Sequence, residues 1–598
     1  MQAVLKSLRS KKYNCIACAV HLLFSFLYSH YFFTQVKPGA GSENVSYKFL
    51  ITGDTLRNDL ISRALCWGYA HVLAIFFIFL FWDWIFFVIR AYRQKIVERT
   101  YWYLYVALIV AGLVTIFAIY PSVLTVPADT NYNYIYAKEW LPMYWHGFLT
   151  NVVQCACMFT FLHPISLSVI QFLFGINIVL YFTYVTLIKC DLKNKIVKAL
   201  IWGLILLLMP ETIRILMYFG RNYSYAILST GFLGILLMDY IIRDSNPKTK
   251  SQILSDSLGK LTKKKFVILT FLAVCLATWR SEGIIYLIFY PFLLYFTYAY
   301  KQCDRSSWIK KLPKALLFVV CAYIVLSLPD KYGSEKYQGY DYFIINTPGP
   351  LSAVMANPNA NLSYRGAEKD LHNIEAVLPQ EYIYKFGQYA MAYYNCDQIR
   401  FPRQCAAGDG GKTYLFSSYN VFIHNLPIYV KYQTNLFFES IGASLSFNIA
   451  TIEPQGWAAK SDEAREWFLW WSEYYSMGDR EFSEHYKITI INPAVHAFLN
   501  EGISKIINAL YECGWFLSGY VKIVVTILVC AVTIIKSVKR EWLFVVIGLL
   551  NVALLAVVIL AAPTSRENYY YSVYFNQYWF LFFACMRFRI AKRNGCYD

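Results

Sequence analysis

The feature that most constrains this chain is a series of long apolar runs separated by short polar segments, many of them basic. Crossing a hydrocarbon core of roughly 30 Å takes about 20 helical residues, so runs of this length predict transmembrane helices. The composition agrees, because 58% of the residues are hydrophobic and 15% are charged, whereas soluble domains carry roughly one quarter charged residues. We therefore predict a polytopic membrane protein in contact with a lipid bilayer.

About twelve runs have the length of a span, and the predicted fold is an all-α polytopic membrane protein. A further apolar stretch at 148–162 is interpreted as a re-entrant or interfacial helix, because one more span would place the basic cluster at 189–198 on the wrong side. The predicted spans are 13–35, 66–89, 102–120, 166–188, 197–212, 225–242, 265–279, 284–300, 315–329, 508–535, 541–561 and 570–586.

The basic residues indicate the orientation. The formal net charge is +18, but the lysines and arginines lie in clusters in every second gap between runs, which is a topology signal and argues against a nucleic-acid partner. The first cluster ends at Lys12 and the last runs from Arg587 to Arg593. Both termini are therefore predicted to be cytoplasmic, in a multi-pass protein of the cell membrane.

The longest gap between runs, 330–507, is predicted to form an extracytoplasmic domain, because its length and mixed composition suffice for a core of its own. Helical patterning near 366–378 and 462–476 predicts that the domain is mainly helical. It divides the chain into an N-terminal transmembrane region, 1–329, this domain, and C-terminal transmembrane helices, 508–598. Cys396 and Cys405 lie in the domain, where a disulfide is chemically favoured, and whether they are bridged stays open.

Arginines on the outer loops run against the positive-inside rule. Arg214, Arg221, Arg280 and Arg566 lie at or beside predicted outer helix ends. Arginine is suited to bidentate recognition of phosphate and keeps its charge when partly desolvated. These residues predict a site for the phosphate of a lipid-linked ligand. The alternative is ion pairing with nearby carboxylates, which are those of Glu211, Glu282 and Glu567.

A second unusual feature is the loop after the third predicted span, which begins at Tyr120-Pro121 and contains Asp129. His146 follows some seventeen residues later. A carboxylate at the outer membrane surface can deprotonate an acceptor hydroxyl while arginines stabilise a phosphate leaving group. Asp129 is therefore a candidate general base, although a loop aspartate with no catalytic role is the simpler interpretation when it is considered alone.

Several motifs occur together in a recognisable order. They are Tyr120-Pro121 with Asp129 beyond it, His146 with Thr150, Arg280-Ser281-Glu282-Gly283, Gly349-Pro350-Leu351, Pro427 to Lys431, and Pro563 to Arg566. Together they resemble bacterial multispanning glycosyltransferases of the GT-C superfamily, over roughly residues 100 to 580. The chain departs from that pattern at Arg221-Asn222, where the family usually has Lys-Asp.

The resemblance implies a hexosyl- or pentosyltransferase that moves a sugar, with inversion, from a polyprenyl-phosphate donor to a cell-surface glycan or lipid acceptor on the outer face. Asp129 would be the general base, with His146 also catalytic. Arg280, Arg221, Arg214 and Arg566 would bind the donor phosphate. The expected substrate-binding residues are Tyr120, Glu139, Glu282 and Lys431.

Two questions stay open at the level of sequence. No cofactor is indicated, and no pair of histidines has metal-ligand spacing, so the involvement of a divalent metal ion is undecided. The alternative function is that of a polysaccharide polymerase or a lipid-linked oligosaccharide flippase, which would also use outer arginines. A flippase is expected to carry charged residues within its spans to line a path.

Overall fold

The structure is a computed structural model of the 598-residue chain, and all regular elements in its described part are helical. A few isolated positions are also described, among them Tyr144 and Lys336. The continuous described ranges are 59–93, 99–120, 147–160, 165–189, 210–244, 261–300, 305–333, 347–377, 409–442, 492–512, 519–538, 541–561 and 570–593.

The α-helices follow the apolar runs of the sequence. The first nine are α1 (Leu60–Arg93), α2 (Arg99–Ile119), α3 (Phe148–Thr160), α4 (Ser166–Lys189), α5 (Pro210–Met217), α6 (Arg221–Asp244), α7 (Lys263–Trp279), α8 (Ile284–Tyr298) and α9 (Arg305–Gly333). The others are α10 (Pro348–Met355), α11 (Ala367–Glu375), α12 (Asp409–His424), α13 (Leu426–Gly442), α14 (Pro493–Glu512), α15 (Gly519–Ser537), α16 (Trp542–Ala561) and α17 (Tyr571–Arg593).

Four helices of the described part are long and apolar enough to cross a membrane. Large apolar side chains of α2, among them Val106 and Val110, remain exposed at 52% each. Such exposure costs free energy in water but not in lipid. The helices are therefore compatible with a membrane protein. The four candidate spans are Trp102–Ile119, Arg221–Ile242, Leu312–Gly333 and Trp542–Leu560.

Other predicted spans have different outcomes. The predicted span 508–535 is described in two parts, the end of α14 at Glu512 and α15 from Gly519, and the residues between them lie outside the described part of the chain. Most of the predicted spans 13–35 and 197–212 lies outside the described residues. Helix α3 has 13 residues, and at 1.5 Å per residue it is about 20 Å long. That length is short of the roughly 30 Å hydrocarbon core.

Helices α6 and α7 run antiparallel, with a polar contact at each end. At one end the Trp279 indole Nε1 donates a hydrogen bond to the carbonyl of Arg221 at 3.0 Å. At the other, Lys265 Nζ lies 2.6 Å from a carboxylate oxygen of Asp239, which also accepts a hydrogen bond from the Tyr298 hydroxyl at 2.5 Å. We call the end with Arg221 and Trp279 the arginine end, and the end with Asp239 and Lys265 the aspartate end.

Buried polar contacts also join α6 and α8 to α17. The Asn576 amide donates to Ser229 Oγ at 2.6 Å and accepts from Thr230 Oγ1 at 3.0 Å. The same amide lies 3.4 Å from the Tyr286 hydroxyl. Hydrogen bonds between otherwise apolar helices typically contribute about 1 kcal/mol. They also require one helix register, and so fix how these three helices pack.

Helix α1 packs on α3, and two buried thiols meet at the contact. The Cys66 and Cys155 sulfur atoms are 3.8 Å apart. Both side chains are fully buried, so they act as small hydrophobic groups in this packing. The contact gives a direct test of how α1 and α3 are placed.

Treating the protein in membranes with iodine, a lipid-soluble oxidant, is expected to join Cys66 and Cys155 in a disulfide, since both sulfurs need to move little. Peptide mass spectrometry without reductant would detect the linked peptides. A Cys155→Ser variant should lose this linkage while other thiols react as before. Linkage of Cys66 to a different cysteine would show that α1 and α3 are packed differently.

A second hydrophobic cluster, separate from the bundle, lies within the 330–507 segment. It is formed by α10 to α13 and includes Leu351, Ile374, Tyr414 and Phe422. Of the two helices predicted here, the one near 366–378 is present as α11. The other, near 462–476, lies outside the described residues, as do Cys396 and Cys405.

Tyr364, which precedes α11, makes polar and ring contacts with both α11 and α12. The Tyr364 hydroxyl donates a hydrogen bond to Asp370 at 2.8 Å, and the Tyr364 ring stacks on His424 at 3.9 Å between centroids. Burial and the neighbouring Asp370 carboxylate raise the pKa of the Tyr364 hydroxyl above its ordinary value. The domain is thus held by a polar layer over its apolar core.

Candidate functional site

Arg280 lies at the arginine end of the bundle, between α7 and the short 3-10 turn Ser281–Gly283. It is only 8% exposed. Its guanidinium forms an ion pair with Glu282, donates a hydrogen bond to the side-chain oxygen of Asn222, and lies 5.7 Å from the ring centroid of Tyr225. These partners fix both the position and the direction of a buried positive charge.

The turn that places Arg280 and Glu282 requires a glycine. A Cβ atom at Gly283 would come within 1.8 Å of the carbonyl oxygen of Leu276. That oxygen belongs to the rigid backbone of α7, which cannot move aside as a flexible side chain would. Gly283 therefore allows the chain to leave α7 and enter α8 so tightly that Glu282 reaches back to Arg280.

Arg221 is the first residue of α6 and is half-buried. Its Nε and Nη2 donate to the carbonyl of Trp279 at 3.4 and 3.2 Å. Within the described part of the chain, no carboxylate lies at ion-pair distance from it; Asp330 acts on it electrostatically at longer range. Its charge is therefore less neutralised by direct contact than that of Arg280.

The N-terminus of α3 meets the same end of the bundle. The Phe148 amide donates a hydrogen bond to Asp330 of α9 at 2.5 Å. Gly147 has a φ of +91°, which favours glycine, and a Cβ there would lie 3.4 Å from the carbonyl oxygen of Thr278. The residue next in the chain to His146 therefore packs against the end of α7, beside Arg280.

Asp59 is a buried carboxylate that the sequence reasoning missed. It precedes α1 and accepts hydrogen bonds from Ser62 Oγ at 2.8 Å and the Tyr332 hydroxyl at 3.1 Å. Lys336 Nζ pairs with it at 3.2 Å, and the Ser62 hydroxyl is 2.7 Å from that of Tyr144. Asp59 thus joins the start of α1 to the chain that ends α9.

A signal for Asp59 was present, since aspartate directly before an apolar helical run is a preferred N-cap residue. The Ile61 amide donates to Asp59 Oδ1 at 3.1 Å, as an N-cap requires. The missed Asp330 carried no such signal. It lies in the last turn of α9, near Pro329, and caps a helix that is remote in sequence.

The structure brings together three of the sequence-predicted residues at the arginine end, the half-buried Arg221 and the buried Arg280 and Glu282. The ion-pair alternative applies to Arg280, since it does pair with Glu282. Tyr120 is buried in the bundle core after α2, and Lys431 is exposed on α13. Arg214 lies in α5, and its side chain is outside the described part, as are Asp129, Glu139, His146 and Arg566.

These features define a protein that is helical throughout its described part, with apolar helices compatible with a membrane and a charged group at one end of its helix bundle. Within the described ranges, no group of three or more His, Cys, Asp or Glu side chains is placed to hold a metal ion. No protein-family model, curated protein or solved structure matches the chain. What the protein does is therefore inferred from its own residues.

Proposed function

We propose that the chain is a membrane glycosyltransferase of the GT-C type, with about twelve spans and cytoplasmic termini. It would transfer a sugar, with inversion, from a polyprenyl-phosphate donor to a cell-surface glycan or lipid acceptor. One observation carries the proposal: Arg221, Arg280 and the chain next to His146 meet at the same end of the bundle. The arginines proposed to bind phosphate therefore lie near Gly147, the residue that follows His146 in the chain.

The positive-inside rule supports an outer location for this site. The basic run Lys263 to Lys265 begins α7 at the aspartate end, where Arg587 also lies. Short basic segments favour the cytoplasm, so the arginine end would face outward. Cytoplasmic nucleotide sugars do not reach that face, which favours a lipid-linked donor whose phosphate lies at headgroup depth.

The contacts suggest different tasks for the two arginines. Arg280 has its charge offset by Glu282 and its direction fixed by Asn222. Arg221 donates two hydrogen bonds to the backbone carbonyl of Trp279 and forms no direct ion pair among the described residues. Arg221 is therefore the better candidate for the main contact with the donor phosphate, and Arg280 for a weaker contact that it shares with Glu282.

The reaction would be a displacement at the anomeric carbon. The acceptor oxygen forms a bond to that carbon as the bond to the phosphate oxygen breaks, and Asp129 takes the proton of the acceptor hydroxyl. Negative charge grows on the departing polyprenyl phosphate, where Arg221 would stabilise it. Inversion follows because the acceptor attacks from the face opposite the leaving group.

The flippase alternative would need charged side chains along a path through the spans. The aspartate end holds two buried pairs, Asp239 with Lys265 and Glu541 with Arg587, at 2.6 and 2.7 Å. Lys522 of α15 is also buried and lies 5.5 Å from the centroid of the Tyr574 ring. The two pairs join neighbouring helices at one end of the bundle, which favours a structural role over the lining of a path.

Mass spectrometry of surface glycans and glycolipids from cells that lack the protein would test the proposed function. Loss of one sugar residue from an otherwise complete glycan is expected, and it would name the transferred sugar. Unchanged glycans would contradict a transferase. A complete lipid-linked glycan trapped on the cytoplasmic face would instead indicate a flippase.

The proposed topology makes a prediction of its own. A cysteine introduced at Ser255 should resist a membrane-impermeant thiol reagent in intact cells, whereas one at the exposed Ser363 should react above the wild-type background. After the cells are opened, both should react. Reaction at position 255 but not at 363 in intact cells would show that the proposed membrane orientation is inverted.

A further inference from the structure

Helices α12 and α13 carry an exposed apolar stripe outside the bundle. The members of this apolar stripe and their exposed fractions are Phe416 (63%), Tyr419 (46%), Ile423 (68%), Leu426 (53%) and Val430 (43%). At 100° per residue, the three members in α12 fall within about 60° of arc. The two in α13 are four residues apart, so they also share one face.

The apolar stripe is additional to the face that these helices bury. Tyr414, Val421 and Phe422 of α12 already fill the core of the domain. A helix with a second apolar face usually has something that covers it, because large exposed apolar patches mark sites of protein or membrane contact. The polar residues Asn420 and His424 border the stripe on one side of α12, and on the other side Tyr419 meets the core residue Phe422.

The position of α13 indicates what covers the stripe. Its Tyr429 hydroxyl donates a hydrogen bond to the carbonyl of Leu560, in the last turn of α16, at 3.3 Å. Helix α16 contains one of the four candidate spans, and this one ends at Leu560. Leu426 and Val430 flank Tyr429 in α13, so the stripe continues from the level at which the apolar surface of the span ends.

Charged and aromatic residues along the stripe match a lipid surface. Lys412 is exposed one turn before Phe416, on the same face of α12, and the exposed Lys431 follows Val430. Lysines beside an apolar helix face bind lipid phosphates, while the apolar face enters the headgroup and acyl boundary. Tyrosine prefers that boundary as well, because its ring is apolar and its hydroxyl is polar.

We propose that the apolar stripe lies in the membrane surface at the arginine end of the bundle, with Lys412 and Lys431 at the lipid phosphates. The domain would then rest on the bilayer beside the charged site. This contact does not depend on the sugar chemistry, since it follows from α12, α13 and α16 alone.

Photo-crosslinking tests this placement in the full-length chain. The photoreactive residue p-benzoyl-phenylalanine would replace Phe416 or Ile423, and the protein would be reconstituted in vesicles of phosphatidylethanolamine and phosphatidylglycerol. Val110, which is 52% exposed on the span of α2, is the positive control. Glu375, exposed at the end of α11, is the control for a domain surface away from the stripe.

Phospholipid adducts at positions 416 and 423, at a yield within about threefold of that at Val110, are expected after illumination, with few or none at Glu375. Adduct yields at 416 and 423 no higher than at Glu375 would overturn the proposal. So would protein adducts in place of lipid adducts when the same variants are illuminated in native membranes, since a protein partner would then cover the stripe.

Discussion

Replacing Asp129 with asparagine is expected to lower turnover by about 10²-fold or more, the usual scale of general-base catalysis. Asparagine keeps the shape of the side chain but cannot take the proton of the acceptor hydroxyl. Donor binding should persist, because the arginines that would hold the phosphate are unchanged. Release of polyprenyl phosphate at saturating donor, with donor affinity measured separately on the same protein in vesicles, checks both parts of this prediction.

The control for Asp129→Asn is Glu375→Gln, which removes an exposed carboxylate from the domain and should leave turnover unchanged. Loss of donor binding with otherwise intact turnover would place Asp129 in the binding site and not in the chemistry. Near-normal turnover would remove it from the mechanism. Glu139 and Glu282 would then be the next carboxylates to test, since one shares the loop and the other lies beside Arg280.

Much of the helical architecture was predictable because hydrophobic burial leaves a direct trace in the sequence. Apolar runs of span length reappear as α2, α6 and α16, and two of the arginines that oppose the charge rule, Arg221 and Arg280, lie at helix ends at the arginine end of the bundle. The pairing of Arg280 with Glu282 was open to prediction as well, because the two residues are only two positions apart in the chain.

Contacts between distant segments were not predictable from one sequence. Asp330 caps α3 across 182 residues, and Tyr332 reaches Asp59 across 273. Local sequence encodes helix period and caps, but the choice of tertiary partner depends on how the helices pack.

Replacing the arginines of the site is expected to have a large effect on donor affinity. Arg221→Lys is expected to lower donor affinity by about tenfold or more, since a charge-assisted hydrogen bond contributes about 1.5–3 kcal/mol and lysine lacks the planar fork that binds phosphate through two parallel bonds. Arg280→Lys should lower it as well, by a smaller factor, because its guanidinium is already bonded to Glu282 and Asn222. Binding of a polyprenyl-phosphate analogue to the protein in vesicles measures both.

Arg589→Lys provides the matched control. This exposed arginine lies near the C-terminus of α17, towards the aspartate end of the bundle, so its replacement should not change donor affinity. Glu282→Gln separates structure from binding at Arg280, since it breaks the ion pair while the guanidinium remains. If the pair is purely structural, Arg280→Lys and Glu282→Gln should lower the unfolding temperature equally and leave donor affinity unchanged. Donor affinity that falls in Arg280→Lys, but is kept or raised in Glu282→Gln, is the result expected of a guanidinium shared between its carboxylate and the phosphate.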